Sequence, residues 1–271
     1  MPSLYIVATP IGNLEDISLR AMRILRSVSL IAAEDTRRTR QLLSHYDIRT
    51  PMTSYHEHNK RSKLGYILDS LEMGDVALVS DAGMPGMSDP GYELIAACIQ
   101  RDIPVIPIPG PSCIITALVV SGLATDSFTY LGFLPRKAGA RKKRLESLAT
   151  QDGTMIVLES PHRLLAALSD MLLTLGDRNI AVCRELTKIY EEVFRGTISQ
   201  ALEHFTLPRG EFTLVIAGQG KKDEPVMTDD IQRQLQEMRR SGMKARTVMA
   251  EMATETGLSR KELYQAWLKV S

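Results

Sequence analysis

The first half of the chain alternates short apolar runs with amphipathic segments. Apolar runs at residues 4–8, 30–33, 76–79 and 104–108 each end in a loop of small or polar residues, and apolar positions at helical spacing follow each loop. A run of four or five apolar residues is typical of a strand buried on both faces. Strand, loop and helix repeated in this order predict an α/β fold with a mainly parallel sheet and helices on both faces.

Three of the loops share an unusual composition. Residues 9–13, 80–88 and 109–112 follow predicted strands, contain Gly and Pro, and carry few charges. Because the carboxyl ends of parallel strands meet at one edge of a sheet, we expect these loops to line a single cleft. The sequence has no GxGxxG after its first strand and no Walker loop. The cleft therefore suits a ligand held by main-chain hydrogen bonds and apolar contacts more than a polyphosphate.

The second half has a different order of elements. Strands are predicted at residues 127–132, 154–159, 180–183, 192–194 and 211–217. Helices are predicted at about residues 141–149, 161–175 and 198–205. The strands on either side of residues 186–190 have no helix between them, which indicates a hairpin and hence a mixed sheet. We divide the chain into an α/β domain at 1–123, a second α/β domain at 124–218, a polar linker at 218–227 and a helical domain at 228–271.

The helical C-terminal domain admits two interpretations. Residues 244–255 carry apolar side chains on one face, and Ser259 with Glu262 forms a capping box that opens a second helix. Two helices joined by a turn that contains Gly257 resemble a helix-turn-helix. A helical hairpin that packs on a neighbour or on a second subunit is the alternative.

Composition restricts the class of protein. A net charge of +1 excludes a globally basic nucleic-acid binder, so such a role would need local patches. Cys98, Cys113 and Cys183 lie far apart in apolar contexts, which indicates buried thiols in a reducing compartment, and no apolar run is long enough to span a bilayer. We expect a cytoplasmic protein. His56 and His58 have no third ligand nearby in sequence, so no metal site is expected.

A local basic patch does occur, in a segment without acidic residues. Its members are Arg136, Lys137, Arg141, Lys142, Lys143 and Arg144. The patch could contact phosphate groups, or it could be the solvated start of a helix. Because cations at a helix N-terminus oppose the helix dipole, phosphate contact is favoured.

Nine short motifs follow one another between residues 4 and 218. They are TPIGNL at 9–14, AEDTR at 33–37, SDAG at 80–83, SDPG at 88–91, PGPS at 109–112, GFLP at 132–135, ESPHR at 159–163, RELTK at 184–188 and GEF at 210–212. In this order the motifs closely resemble those of the tetrapyrrole methylase family, and within it the branch that acts on ribosomal RNA.

This resemblance implies a class III methyltransferase with two α/β domains, S-adenosylmethionine in the cleft between them, and a homodimer. It also implies which residues contact that cofactor: Pro10, Asp81, Ala82, Gly83, Met87, Ser112, Cys113, Glu159, Leu186, Phe212 and Leu214.

The implied reaction is 2′-O-ribose methylation of a cytidine in small-subunit (16S) ribosomal RNA, free or in the assembled subunit. A ribose hydroxyl is a poor nucleophile at neutral pH, so a base or a stabilising cation should assist it. Glu57 or Asp35 is the candidate base, and Arg37 or Lys188 is the candidate cation for the oxygen or a neighbouring phosphate. Two alternatives remain, a methylase of a corrin or porphyrin and a helix-turn-helix nucleic-acid-binding regulator.

Overall fold

The computed structural model describes residues 1–219 and 227–269. Its contacts divide the chain into two compact units, Met1–Gly218 and Gln219–Ser271. Both predicted α/β domains fall in the first unit, so the boundary at residue 123 stays a prediction. Most of the predicted linker, residues 220–226, lies outside the described residues.

The first sheet has five strands: β1 (Leu4–Val7), β2 (Leu30–Ala33), β3 (Met52–Ser54), β4 (Val76–Val79) and β5 (Val105–Ile108). The strand order is β3-β2-β4-β1-β5, and every pairing is parallel, as predicted. Besides a 3₁₀ turn at Leu14–Asp16, the helices of this half are α1 (Leu19–Ser27), α2 (Thr36–His45), α3 (Lys60–Met73), α4 (Tyr92–Gln100) and α5 (Cys113–Ser121).

Alternation along the strands gives this sheet a separate core on each face. In β2, Ile31 belongs to one buried cluster, which includes Leu25 of α1. Its neighbour Ala32 belongs to the other cluster, which includes Ile67 of α3 and Leu94 of α4. Because both faces are covered, the strands are apolar throughout, and this produces the continuous apolar runs in the sequence.

The second sheet has five strands: β6 (Phe128–Phe133), β7 (Thr154–Glu159), β8 (Asn179–Arg184), β9 (Glu192–Thr197) and β10 (Phe212–Ile216). The strand order is β6-β7-β10-β8-β9. Strands β6 and β7 are parallel and the other pairs are antiparallel, which confirms the mixed sheet. Its helices are α6 (Ala138–Glu146), α7 (Pro161–Leu175) and α8 (Ile198–His204).

Helix α5 joins the two halves of the first unit. Its residues Ile114 and Leu118 share a buried cluster with Ile156 of β7 and Val215 of β10. Helices α7 and α8 pack on the opposite face of the second sheet. The loop that leads from β5 into α5 is thereby held between the two sheets, and it carries part of the site described below.

The second unit contains α9 (Asp229–Arg240), α10 (Ala245–Thr256) and α11 (Arg260–Lys269). The three helices enclose a small core that includes Leu235, Met252 and Trp267. The predicted capping box is confirmed, since the Glu262 N–H donates to Ser259 Oγ at 3.2 Å and the Ser259 N–H donates to a Glu262 carboxylate oxygen at 3.1 Å. None of the described helices is both long and apolar enough to cross a membrane.

Candidate active site

The three small-residue loops meet at the carboxyl edge of the first sheet, as predicted. Strand β1 lies between β4 and β5, so the loops that follow these strands are neighbours. Thr9 and Gly83 exchange main-chain hydrogen bonds of 2.9 and 3.0 Å, and Thr9 Oγ1 donates to the Ser80 carbonyl at 3.0 Å. Gly83 has φ of 78°, a conformation that glycine adopts without a steric penalty.

A cavity of about 380 Å³ opens between these loops and the second sheet. The resemblance implied eleven cofactor-contacting residues, and nine of them line this cavity: Asp81, Ala82, Gly83, Met87, Ser112, Cys113, Glu159, Leu186 and Phe212. Pro10 lines an adjoining cavity instead. Leu214 is fully buried in the core against α7, whereas its neighbour Thr213 lines the cavity.

Three carboxyl groups gather where the cavity meets the first sheet. Glu34 directly follows β2, and its Oε2 accepts the Asp81 N–H at 3.1 Å. Asp81 Oδ1 accepts the Asp35 N–H at 3.1 Å, and Asp81 Oδ2 lies 3.4 Å from an Arg38 guanidinium nitrogen. Asp89, in the loop before α4, completes the set.

Burial changes the acidity of all three groups. It raises the pKa of Glu34 and of Asp81. Burial, with the negative charge of Glu34 as the next cause, raises the pKa of Asp89 to about 7. Glu34 and Asp89 were not predicted as site residues. The signal available in the sequence was their position directly after β2 and in the loop after β4, where the candidate cleft was expected.

Glu159 faces the cavity from the second sheet with one oxygen unused. The residue is only 2% exposed. Its Oε1 accepts the Ser160 N–H at 2.9 Å and lies 3.2 Å from Arg163 Nε. Its Oε2 is buried and has no hydrogen-bond partner among the described residues. A buried carboxylate oxygen in this state is suited to accept a hydrogen bond from a ligand.

A second cavity of about 310 Å³ adjoins the first one and shares Arg38, Asp81 and Glu211 with it. Lys188 lines it, and the Lys188 ammonium group bonds to Glu185 at 3.0 Å and to Glu211 at 2.9 Å. Burial lowers the pKa of Lys188, but the carboxylates of Glu211 and Glu185 outweigh burial and raise the pKa above its ordinary value. Lys188 is therefore a fixed cation at neutral pH.

The two candidate bases lie outside both of these cavities. Asp35 caps α2 by accepting the Arg37 N–H at 2.8 Å and pairs with the Arg37 guanidinium at 2.7 Å. These hydrogen bonds hold the pKa of Asp35 far below its usual range. Glu57 lines a separate cavity and pairs with Lys60 at 2.9 Å. Of the three candidate catalytic residues, Lys188 alone lines one of these two cavities, the adjoining one.

The basic patch lies mainly on α6, which begins three residues earlier than predicted. Five of its six side chains are exposed: Arg136, Lys137, Lys142, Lys143 and Arg144. Arg141 departs from the prediction. It is 5% exposed, its Nε donates to Asp170 Oδ2 at 2.7 Å, and its Nη2 lies 2.6 Å from the same oxygen. Because this ion pair fastens α6 to α7, Arg141 is not available to phosphate.

Within residues 1–219 and 227–269, no group of three or more His, Cys, Asp or Glu residues could hold a metal ion. His56 and His58 lie with their ring centroids 6.0 Å apart. They are therefore not part of a metal cluster among these residues.

Comparison with known proteins fits this architecture. The family model of the tetrapyrrole (corrin/porphyrin) methylases matches residues 3–202. The chain belongs to this family. Uroporphyrin-III C-methyl transferase from Thermus thermophilus, solved with S-adenyl homocysteine, is 18% identical, with a TM-score of 0.59 over 79% of this chain and 97% of that one. This likeness shows the fold, and it confirms the predicted α/β methylase architecture.

Two relatives are much more similar in sequence. A Synechocystis sp. protein named ribosomal RNA small subunit methyltransferase I is 48% identical over 275 residues, which cover 100% of this chain and 99% of the relative. A Thermotoga maritima protein of the same name is also 48% identical, over 221 residues that make up 99% of it but 80% of this chain. About a fifth of the present chain is therefore not matched by the Thermotoga relative.

Proposed function

We propose that the protein transfers a methyl group from S-adenosylmethionine to the 2′-hydroxyl of a cytidine in small-subunit ribosomal RNA. The observation that carries the proposal is one cavity in which three main-chain-lined loops face Glu159, Leu186 and Phe212. The substrate class follows from the relatives named ribosomal RNA small subunit methyltransferase I, one of which matches the whole chain.

The residues of the cavity fit this methyl donor. S-adenosylmethionine carries an ammonium group, ribose hydroxyls and an adenine amine, all of which can donate hydrogen bonds. The unused Oε2 of Glu159 offers a buried acceptor for one of these groups. Ala82, Leu186 and Phe212 offer apolar contact, and the cavity volume lies within the usual range for small-molecule sites. The nine lining residues named above are the proposed contacts, with Pro10 at the adjoining cavity and Leu214 supporting the strand from behind.

S-adenosylmethionine would supply an already activated methyl group: an O–CH₃ bond would form as the C–S bond breaks, with S-adenosylhomocysteine as the leaving group and the hydroxyl proton passing to solvent. The task left to the chain is to align the acceptor and stabilise its oxygen. Lys188 lines the adjoining cavity and is held there by Glu185 and Glu211, so we assign it that cationic role. Asp35 is a weak proton acceptor because its pKa is held low, and Glu57 lies beside another cavity.

Single replacements test whether Asp35 or Glu57 acts as the general base. Asp35→Asn and Glu57→Gln should leave turnover on RNA within a fewfold of the unchanged protein. Lys188→Met should lower turnover by on the order of a hundredfold, as removal of one stabilising donor does in other enzymes.

The exposed basic residues are the proposed contacts for the RNA backbone. Arg37 is 85% exposed at its side chain, even though it pairs with Asp35. Arg136, Lys137, Lys142, Lys143 and Arg144 begin only three residues after Phe133, which lines the donor cavity. A phosphate backbone that follows this patch passes close to the cleft, as methylation of a ribose requires.

We infer that the protein acts in the cytoplasm as a homodimer, as the resemblance implies. Light scattering coupled to gel filtration measures the second part of this inference. A mass of two chains supports it, and a mass of one chain contradicts it.

The alternatives have less support than RNA methylation. Methylases of corrins and porphyrins among the solved structures are similar in fold alone, at 15–19% identity. A regulator built around the second unit conflicts with the methylase family match, which covers residues 3–202 and so lies within the first unit.

Mass spectrometry of the reaction product tests the proposal directly. The protein is incubated with methyl-labelled S-adenosylmethionine and either free 16S RNA or small ribosomal subunits from cells that lack the enzyme. The expected product is label in one 2′-O-methylcytidine after nuclease digestion. A parallel incubation with uroporphyrinogen serves as the control. Label on the tetrapyrrole contradicts the proposal. So does the absence of label from both free 16S RNA and small ribosomal subunits.

A further inference from the structure

The donor cavity is strongly acidic. Five carboxylate side chains line it: Glu34, Asp81, Asp89, Glu159 and Glu211. Arg38 is the only basic side chain among the residues that line it. A cavity with this lining favours a ligand that carries positive charge where the carboxylates face it.

Three of these carboxylates are paired with basic side chains. Glu159 pairs with Arg163, and Glu211 pairs with Lys188. Asp81 faces the Arg38 guanidinium at 3.4 Å. No Lys, Arg or His nitrogen of the described residues lies within 4.0 Å of the carboxylate of Glu34 or Asp89, so these two groups form the unbalanced part of the lining.

We infer that the cleft distinguishes the methyl donor from its demethylated product by charge, and that Asp89 is the residue on which this distinction chiefly depends. The inference rests on the proposed function. The donor carries a positively charged sulfonium, whereas S-adenosylhomocysteine has a neutral thioether at the same place and is otherwise identical. An acidic cavity therefore binds the donor more tightly than the product and favours product release after each transfer.

A second observation indicates that the cavity is prepared for a ligand and is not merely a cluster of acids. Glu159 lines the same space from the opposite sheet, and its Oε2 is buried and lacks a partner among the residues described. Carboxylate residues at the ends of strands of both sheets thus contribute to the lining of one cavity.

The surroundings of Asp89 make this preference sensitive to pH. The ionisable groups that interact electrostatically with Asp89 are Glu34, Asp81, Cys113 and Tyr130, and none of them is cationic. Burial raises the pKa of Asp89 to about 7. Below this pH Asp89 is mostly neutral, and above it the carboxylate is charged. The preference for the cationic donor should therefore increase as the pH rises through about 7.

Calorimetric titration tests the inference without any turnover. The full-length protein is titrated with S-adenosylmethionine and, separately, with S-adenosylhomocysteine between about pH 6 and about pH 8. The ratio of the two dissociation constants is the readout, because the amino, carboxyl and adenosyl groups common to both ligands cancel in it. We expect the preference for the donor to rise on the order of tenfold across this range.

Three variants assign the effect. Asp89→Asn should make the ratio smaller and independent of pH. Glu34→Gln should keep the pH dependence but move its midpoint to lower pH, because the charge of Glu34 helps to raise the pKa of Asp89. Glu72→Gln, which removes an exposed charge on α3, should leave the ratio unchanged and is the matched control. Circular dichroism and thermal melting verify that each variant is folded.

The possible failures can be told apart. If the unchanged protein binds both ligands with equal affinity at every pH, charge discrimination is wrong while the proposed function stands. If the pH dependence survives in Asp89→Asn, another group is responsible and the assignment to Asp89 is wrong. If neither ligand binds to the folded protein, the proposed function itself fails.

Discussion

Gly12 shows how one missing side chain lets the two halves of the cleft meet. A Cβ atom at this position would lie 2.8 Å from Thr187 Oγ1 and 2.9 Å from the Leu186 carbonyl oxygen. The neighbouring Asn13 N–H donates to Thr187 Oγ1 at 3.0 Å, so the loop after β1 holds the loop that carries Lys188. Close backbone approach, not an unusual φ, is the reason for glycine here.

Replacement of Gly12 by Ala should therefore move Lys188 without removing it. We expect methyl transfer to RNA to fall by on the order of tenfold or more, since small misplacements at an active site are costly. Steady-state kinetics with labelled donor measures the change. Gly65→Ala is the matched control, because a Cβ atom there meets nothing within 4 Å on α3. Equal activity of both variants would contradict this role of Gly12.

Arg141 differs from its basic neighbours, and a stability measurement should reveal the difference. Removal of Arg141 leaves the buried Asp170 carboxylate with only the half-exposed Lys142 ammonium at 3.7 Å, so Arg141→Ala should lower the free energy of unfolding by up to about 3–5 kcal/mol. The exposed Lys143→Ala should change it by less than about 0.5 kcal/mol. Urea denaturation of both variants provides the comparison. Similar unfolding midpoints would show that the Arg141–Asp170 pair contributes little to stability.

Individual residues of the site and of the basic patch show which features could be predicted from the sequence alone. It indicated the loops that carry Asp81, Gly83 and Ser112, because small residues after apolar runs are a local signal. It could not separate Arg141 from Lys142, because the difference depends on Asp170 of a distant helix. The unbalanced charge of Asp89 is likewise a property of tertiary packing, which no local pattern records.

At the scale of elements, the bounds of a helix could be predicted where the sequence has residues that favour a helix start or end. Pro161 at the first helical position and Gly176 after the last one bound α7 as predicted. Helix α9 was not predicted individually, although Thr228 caps it and Asp229 and Asp230 occupy its first turn. The order of the strands in the sheets could not be predicted from the sequence. Strand β10, for example, lies between β7 and β8 because of contacts between residues that are distant in sequence.

Helix α6 supports a prediction about RNA binding. The double variant Lys143→Gln, Arg144→Gln removes two exposed charges, so it should weaken RNA binding and reduce the slope of log affinity against log salt by about 1.5. The affinity for the donor should not change. Filter binding over a range of salt concentrations measures the slope. The double variant Arg20→Gln, Arg23→Gln on α1 removes the same number of exposed charges and is the control. If this control lost as much RNA affinity, α6 would have no specific role in RNA binding.

For the whole molecule, the division into two compact units has a functional counterpart. Both sheets, their helical layers and all residues that line the two adjoining cavities belong to Met1–Gly218. The second unit has its own core around Trp267. All the proposed donor contacts therefore lie in the first unit.

Truncation after Gln219 tests whether the first unit is sufficient. Because its cores and cleft are complete, the shortened chain should fold and bind S-adenosylmethionine with a dissociation constant within about twofold of the full chain. Affinity for the small subunit should fall more than affinity for the donor if the helix-turn-helix-like unit contacts RNA. Calorimetry with the donor and sedimentation with subunits measure the two affinities. A folded truncated chain that no longer binds the donor would show that the second unit is needed for donor binding. Unchanged affinity for the ribosomal subunit would show that the second unit does not contact RNA.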